Sequence, residues 1–366
     1  MDNANHNTRA EVILPSKELN KDIDFFTKTI GMQLNEIFPA DDPSVAVISG
    51  YGLRVRLDKD SNAPASSIKI HVETTNKLNG CKSNLIAPNG CRIELVEINP
   101  SLVMPKTNHE FVVRRLADQA PWVIGRAGMH YRDLIPSRLG GSIIASHIRI
   151  PDGGPVPDMV HYHTVGFQLI FCYKGWVDLV YEDQGEPFRL HQGCCVIQPP
   201  EIRHKVLFAS DNIEVIEIGV PAEHVTTIDH EMQLPNDIVN LNREFNGQKF
   251  VHHKVEEAQW EKFRLSQFEA RDTTISKNTQ NIAGVKVARY KGGEDSWTSH
   301  DSDILFNFVM SGKMILEGEG KTSSELAPGD AFVIPPSMKT RYTSCTNDLE
   351  LLEAVSYTHL TLPTIA

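Results

Sequence analysis

Short apolar runs, many alternating with polar residues, dominate the chain, and helical periodicity is confined to a few stretches. Residues 10–16, AEVILPS, predict a strand. Residues 20–32, NKDIDFFTKTIGM, predict an amphipathic helix with Ile23, Phe26 and Ile30 on one face. Strand-like runs follow at 44–50, 53–58, 67–73 and 91–98, the last introduced by the turn Pro88-Asn89-Gly90. A polar connector, 101–125, carries a helical stretch at 109–120, HEFVVRRLADQA. Beyond it, strands separated by Gly, Pro and Asp are predicted almost throughout.

That later pattern is written twice. Trp122 stands ahead of Arg132-Asp133 as Trp260 stands ahead of Arg271-Asp272, and a β-rich run follows each pair, GGSIIASHIRIP in one copy and IAGVKVARY in the other. HYHTVGFQLIFCYKG (161–175) corresponds to TSHDSDILFNFVMSG (298–312). GCCVIQPPEIRH (193–204) and GDAFVIPPSMKT (329–340) are 136 residues apart, as are IEVIEI (213–218) and LELLEA (349–354). Two tandem β units of about ninety residues are therefore expected, joined by a helix-containing connector at 226–262.

In the first hundred residues the order is strand, helix and three strands, then a shorter second half. With ILPSKELNKDIDFFTKTIGM and APNGCRIELVE, this resembles the vicinal-oxygen-chelate (glyoxalase-like) module over residues 9–100. The resemblance implies a divalent-metal site of His, Gln or Glu on facing strands. Glu94 fits the last-strand carboxylate, but Glu11 stands where His is usual and Ser67 where the second half often has His. His71 lies elsewhere on its strand. Two carboxylates without imidazoles make a weak transition-metal site, so a structural or ligand-shielding domain is expected.

The first β repeat carries the strongest chemistry. His161 and His163 alternate on a predicted strand, so both imidazoles share a face. Gln168 follows, then Gly175 at a turn; later Gly193 opens a run, Pro199-Pro200 turns the chain and His204 follows. The spacings resemble the two signature motifs of the cupin superfamily, with Gln168 in the usual Glu position, Glu201 replacing the motif Gly and Phe208 in the Asn position. The resemblance covers residues 126–354 and implies a mostly β protein: a βαβββ glyoxalase-like domain followed by two tandem cupin barrels, of the double-stranded β-helix or jelly-roll type. It implies metal ligands His161, His163 and His204, with Gln168 a candidate fourth.

Three neutral imidazoles converging in a barrel suit Fe(II), Mn(II), Ni(II), Cu(II) or Zn(II), with Fe(II) preferred. The alternative is three hydrogen-bonded core histidines, which fits a lone His better than HxH joined by a third His at this spacing. Because Gln168 cancels no charge, the site is formally dicationic and favours an anionic chelating substrate such as an enolate, a 2-oxo acid or a catecholate. Gln168 and Tyr173 are the candidates to orient substrate or dioxygen. For Tyr173, as for Phe171 and Trp176, core packing is the alternative.

The second repeat keeps its turns but not its ligands. His300 matches the second histidine, while Thr298, Leu305 and Thr340 fill the other places, so metal binding is not expected there. Asp301 and Asp303 fall off the ligand pattern and predict a solvated turn. Gly320-Lys321-Thr322 lacks the upstream glycine of a phosphate loop, His252-His253 reads as a surface pair, and Cys194-Cys195 as packing.

Composition narrows the functional classes. The 366 residues, 40% hydrophobic, suffice for two or three domains. A net charge of -11 without a basic cluster argues against a nucleic-acid partner. No apolar run approaches the roughly eighteen residues of a membrane span. A polar N-terminus and six cysteines without a disulfide-like spacing point to a cytoplasmic protein. The domain boundaries expected are 9–100, a linker 101–125, barrel one at 126–225, the connector 226–262 and a degenerate barrel two at 263–354. The final VSYTHLTLPTIA (355–366) resembles a translated sequencing adapter and is expected to lie outside the fold. The expected function is a metal-dependent dioxygenase-type oxidoreductase with a small-molecule substrate. A metal-dependent isomerase or lyase and a non-catalytic binding or sensing module are the alternatives, and a homodimer is left open.

Overall fold

The computed structural model describes residues 9–73, 83–118 and 121–356. Cys81, the last two residues of the 109–120 stretch and residues 357–366 of the adapter-like tail lie outside that set. The chain divides into two compact units, Met1–Ser101 and Leu102–Ala366. No helix among the described residues is long and apolar enough to cross a membrane.

In the N-terminal unit, strand Val12–Pro15 leads to helix Leu19–Asp24, which continues through one π turn, Phe25–Thr29. Strands Gln33–Phe38, Val45–Gly50 and Leu53–Asp58 complete a four-stranded sheet in which Val12–Pro15 runs parallel to Leu53–Asp58. Ser67–Val72, Arg92–Glu97 and Asn84–Ile86 form a second sheet. Phe26 and Ile30 are buried with Leu14, Ile48 and Leu57, as the helical periodicity requires. Pattern reading missed Gln33–Phe38 because all six of its residues are exposed on a sheet edge, leaving no alternation to detect. Buried Asp22 accepts from Ser16 Oγ at 2.5 Å and Asn89 N at 2.9 Å, tying the helix to the Pro88-Asn89-Gly90 turn. Glu11 is paired with Arg54 and Glu94 with Lys69, and Ser67 is exposed.

The C-terminal unit contains both β repeats. In the first, a seven-stranded sheet runs in the order Val251–His253, Cys195–Ile197, Phe167–Lys174, Ile213–Val220, Ile144–Ile150, His130–Asp133, Val123–Ile124. It faces a second sheet containing Phe188–His191, Trp176–Tyr181, His204–Ala209, His161–His163 and Thr226–Ile228. The second repeat has a matching seven-stranded sheet, with Ile304–Ser311 and Glu350–Ser356 at its centre, and a three-stranded one built on Met314–Gly318. Strand parity sorts the side chains. Phe167, Leu169, Phe171 and Tyr173 pack against Phe306, Phe308 and Val333 of the other repeat, while Ile170 and Cys172 face their own interior.

Neither connector is the helical linker expected. Residues 109–120 yield strand Val112–Arg114 and a 3-10 turn, Leu116–Asp118, and that strand pairs with Ala331–Ile334 of the second barrel. Residues 226–262 hold short strands and a 3-10 turn, and their strand Val251–His253 pairs with Cys195–Ile197 of the first barrel. Each barrel is thus completed by a strand that precedes the other barrel in sequence. His252-His253 is correspondingly not a surface pair: His253 is buried and His252 stacks on Phe188.

The repeated Arg-Asp pairs do the same work twice. Arg132 donates to Gly329 O and Arg271 to Gly193 O, each reaching into the opposite barrel. Both glycines lie in the left-handed region, at φ 94° and 82°, where they turn a carbonyl toward the arginine. Asp133 and Asp272 each accept from the backbone N–H two residues on, closing identical turns. At the other end of the repeat, Val355 and Ser356 extend the strand Glu350–Ser356 and pair with Gly284 and Ala283, so two residues of the adapter-like segment belong to the sheet.

Candidate metal centre

The strand His161–His163 lies antiparallel to His204–Ala209, with His161 in register with His204. This places three imidazoles on one inner face, with ring centroids 4.2 Å (His161–His204), 5.1 Å (His161–His163) and 5.2 Å (His163–His204) apart. Their ligand nitrogens lie within 4.8 Å of one another, and no other group of three His, Cys, Asp or Glu side chains among the described residues does so.

The far side of each ring is fastened. His161 Nδ1 donates to Met159 O at 2.7 Å and His204 Nδ1 to Ile202 O at 2.9 Å; His163 Nδ1 meets Thr226 Oγ1 at 2.9 Å. A carbonyl can only accept, so in His161 and His204 the proton sits on Nδ1 and the Nε2 lone pair is bare. Nε2 of His161 is buried with no hydrogen-bond partner. Leaving such a group unsatisfied costs about 1–3 kcal/mol, and a bound cation is the partner this donor set fits.

All three imidazoles are held neutral. Burial pushes His163 down to about 2, with the charges of His161, His224 and Arg126 adding to the effect. His204 is lowered well below its ordinary value and His161 is also lowered, each mainly by burial. In the unfolded chain these groups take up protons near pH 6.5, whereas in the fold they resist to lower pH, His163 down to about 2. Their contribution to metal-free stability is therefore fully present above pH 6.5 and is lost progressively as pH falls below it. The slope approaches about 1.4 kcal/mol per pH unit for each histidine involved. Urea titrations of chelator-treated protein at pH 7.5 and 5.5 should show the midpoint falling at the lower pH. An unchanged midpoint would contradict the neutral cluster.

The cavity beside the imidazoles measures about 80 Å³. Its walls are mainly aliphatic, with Ile148, Ile170, Leu179 and Val206 among them, and Arg126, Gln198 and Glu217 add polar groups. Tyr181 accepts from Gln198 Nε2 at 2.9 Å and stacks on His204. Gln168 is fully buried; its Nε2 donates to Glu217 Oε1 at 2.6 Å, and its own Oε1 has no partner. Sequence reasoning missed Glu217. Its signal was available in IEVIEI, where strand parity sets Glu217 with the cavity-lining Ile213 and Val215. The carboxyl is raised by burial, against the opposing hydrogen bond from Gln168. A carboxyl therefore does stand at this site, one residue behind Gln168, which corrects the expectation of a site without one.

Tyr173 is not in the site. It lies five residues from Gln168, an odd number, so it points from the opposite face of the same strand. Its hydroxyl donates to Met310 O at 3.1 Å, and its ring packs on His147 and Phe308 between the barrels.

The second barrel has dismantled the same site. Thr298 and Thr340 pair through their backbones, and Leu305 is buried in the barrel interior. His300 donates Nε2–H to Ile334 O at 3.0 Å, the tautomer opposite to that of His161. Glu353, the counterpart of Glu217, is bound through both oxygens by Arg264. Asp303 is buried rather than part of a solvated turn: Thr107 Oγ1 donates to it at 2.6 Å and His109 Nε2 lies 2.7 Å away.

No family model matches the sequence, and no curated protein matches it. Solved structures do. A mutant of Bacillus subtilis oxalate decarboxylase superposes with a TM-score of 0.51 at 14% identity, covering 70% of this chain and 81% of that one. The putative glyoxylate-induced protein from Pseudomonas aeruginosa gives 0.53 at 12%, over 73% and 96%. Protein Ylba from E. coli gives 0.51 at 10%, over 74% and 97%. At such identities the likeness concerns architecture, and the conclusion it supports is a mostly β chain with a cupin fold that carries a three-histidine cluster.

Proposed function

We propose that the first barrel binds one divalent transition metal through His161, His163 and His204, with Gln168 Oε1 as a further ligand, and acts as a dioxygenase-type oxidoreductase. Its substrate on this reading is a small anion that chelates through two oxygens. The observation that carries the reading is the set of imidazoles with fastened Nδ1 sides and the partnerless Nε2 of His161. A redox-active ion such as Fe(II) would supply charge stabilisation and electron exchange with dioxygen. Both atoms of dioxygen enter the product in such a reaction, so no external reductant is required.

The protein's own groups have separable tasks. Aliphatic walls exclude water, Gln198 and Tyr181 brace the ring of His204, and Glu217 fixes the amide of Gln168 by accepting from Nε2. Glu217 also favours a second reading, a metal-dependent isomerase or lyase, because it sets a carboxyl, its pKa raised by burial, on the cavity wall where it can take or give a proton. The N-terminal unit is read as a glyoxalase-like module on the order of its strands and helix, without a metal, since Arg54 and Lys69 neutralise Glu11 and Glu94.

Metal analysis of protein purified without a histidine tag should find about one transition-metal ion per chain. Dioxygen uptake with a panel of 2-oxo acids, diketones and catechols then separates the readings. Uptake stoichiometric with substrate supports oxidation, turnover without uptake supports the isomerase or lyase, and metal without turnover supports a binding module.

A further inference from the structure

We infer that Arg126 is the anchor for a substrate carboxylate, and that the carboxylate of Asp158 holds its place until such a substrate displaces it. The inference rests on the metal reading above and names the substrate class for that site. Arg126 sits on a single 3-10 turn, Arg126–Gly128, between strands Val123–Ile124 and His130–Asp133. Its side chain is 36% exposed, yet it also lines the cavity beside the imidazoles. The residue therefore connects solvent to the site. It shares that cavity wall with His161, His163, His204 and Glu217, so the guanidinium borders the space a metal-bound ligand would occupy.

Arg126 Nη1 is held by Asp158 Oδ1. Asp158 is almost wholly enclosed, with its side chain 2% exposed, but it keeps a second anchor: its Oδ2 accepts from Val206 N at 3.0 Å. Losing Arg126 would leave Asp158 hydrogen-bonded, and its Oδ1 already lies 3.7 Å from His161 Nδ1. Asp158 already offsets Arg126, and Glu217 can offset one further unit, so a dication added to the three neutral imidazoles still leaves the cavity with net positive charge. A carboxylate arriving on the substrate corrects that imbalance, and a guanidinium is the group best shaped to receive it.

Size narrows the class further. A cavity of about 80 Å³ is small, which suits a two- to four-carbon acid better than an aromatic catecholate. The aliphatic walls offer nothing to a second charge at the far end of such a molecule. A short 2-oxo acid or enol acid with one carboxylate is the ligand this site fits.

The test uses Co(II)-loaded full-length protein without dioxygen, titrated with pyruvate and its neutral isostere pyruvamide, with binding read from the visible bands of the metal. In Arg126→Gln the dissociation constant for pyruvate should rise about ten- to a hundredfold, while that for pyruvamide changes less than about threefold. Asp158→Asn, which removes the competitor but keeps an acceptor for Val206 N, should tighten pyruvate binding by about three- to tenfold. Equal loss of both ligands in Arg126→Gln, or no loss of either, overturns the carboxylate anchor. Unchanged or weaker pyruvate binding in Asp158→Asn overturns the place-holding role. Failure of the unmutated protein to bind Co(II) overturns the metal reading instead.

Discussion

In His161→Ala and His204→Ala variants, bound metal should fall from about one ion per chain to less than about a tenth, and turnover should disappear with it. Two imidazoles and an amide oxygen form a weak site for a first-row ion, and losing even an outer-shell partner of a ligand typically costs about 10- to 100-fold. The two readings of the histidines diverge in the metal-free protein. If His161 served only the core, its removal would destabilise the fold whether metal were present or not. Because its Nε2 has no partner and its hydrogen bond is the one from Nδ1 to Met159 O, the metal-free His161→Ala protein should lose only about 1 kcal/mol beyond the cavity left by the ring. Metal analysis, oxygen electrode traces and urea midpoints with and without chelator check all three statements. Full metal loading in either alanine variant would sink the proposal.

Phe308→Ala should cost about 3–5 kcal/mol. Phe308 is fully buried in the apolar layer between the two barrels, with its ring 5.0 Å from Tyr173 and 5.6 Å from His147. Those neighbours cannot collapse inward easily. Tyr173 is held by Met310 O, and His147 is fixed between Arg132 and Glu214. The truncated site should therefore stay open, which places the loss at the upper end for such substitutions. Since the layer belongs to both barrels, the transition should move as one in urea, by far-ultraviolet circular dichroism and tryptophan fluorescence alike. A change below about 1 kcal/mol would show that the layer is not a shared core.

The three-histidine cluster was legible because its information is local. HxH fixes a face, and the spacing to His204 fixes the neighbouring strand. Turns and repeats were legible for the same reason, since Gly, Pro and the Arg-Asp pairs act within a few residues. Tyr173 was misplaced although the correction needed only parity along its own strand. Parity along IEVIEI groups Glu217 with Ile213 and Val215, but that this face lines the cavity depends on the strand's pairing with Phe167–Lys174, which is not written in either strand. The helical patterns at 109–120 and 226–262 failed for a related reason: an edge of the other barrel offered those segments a ladder of hydrogen bonds that outweighed local propensity.

The exchange of Val112–Arg114 and Val251–His253 sets the smallest piece of this chain that can be expressed by itself. A fragment cut at residue 225 would contain every proposed metal ligand, yet would leave Cys195–Ile197, three buried apolar residues, as an open sheet border. Such borders recruit other chains, so the fragment should aggregate. Dissection of the proposed metal site from the rest of the molecule therefore has to begin no later than residue 102 and keep both barrels in one polypeptide.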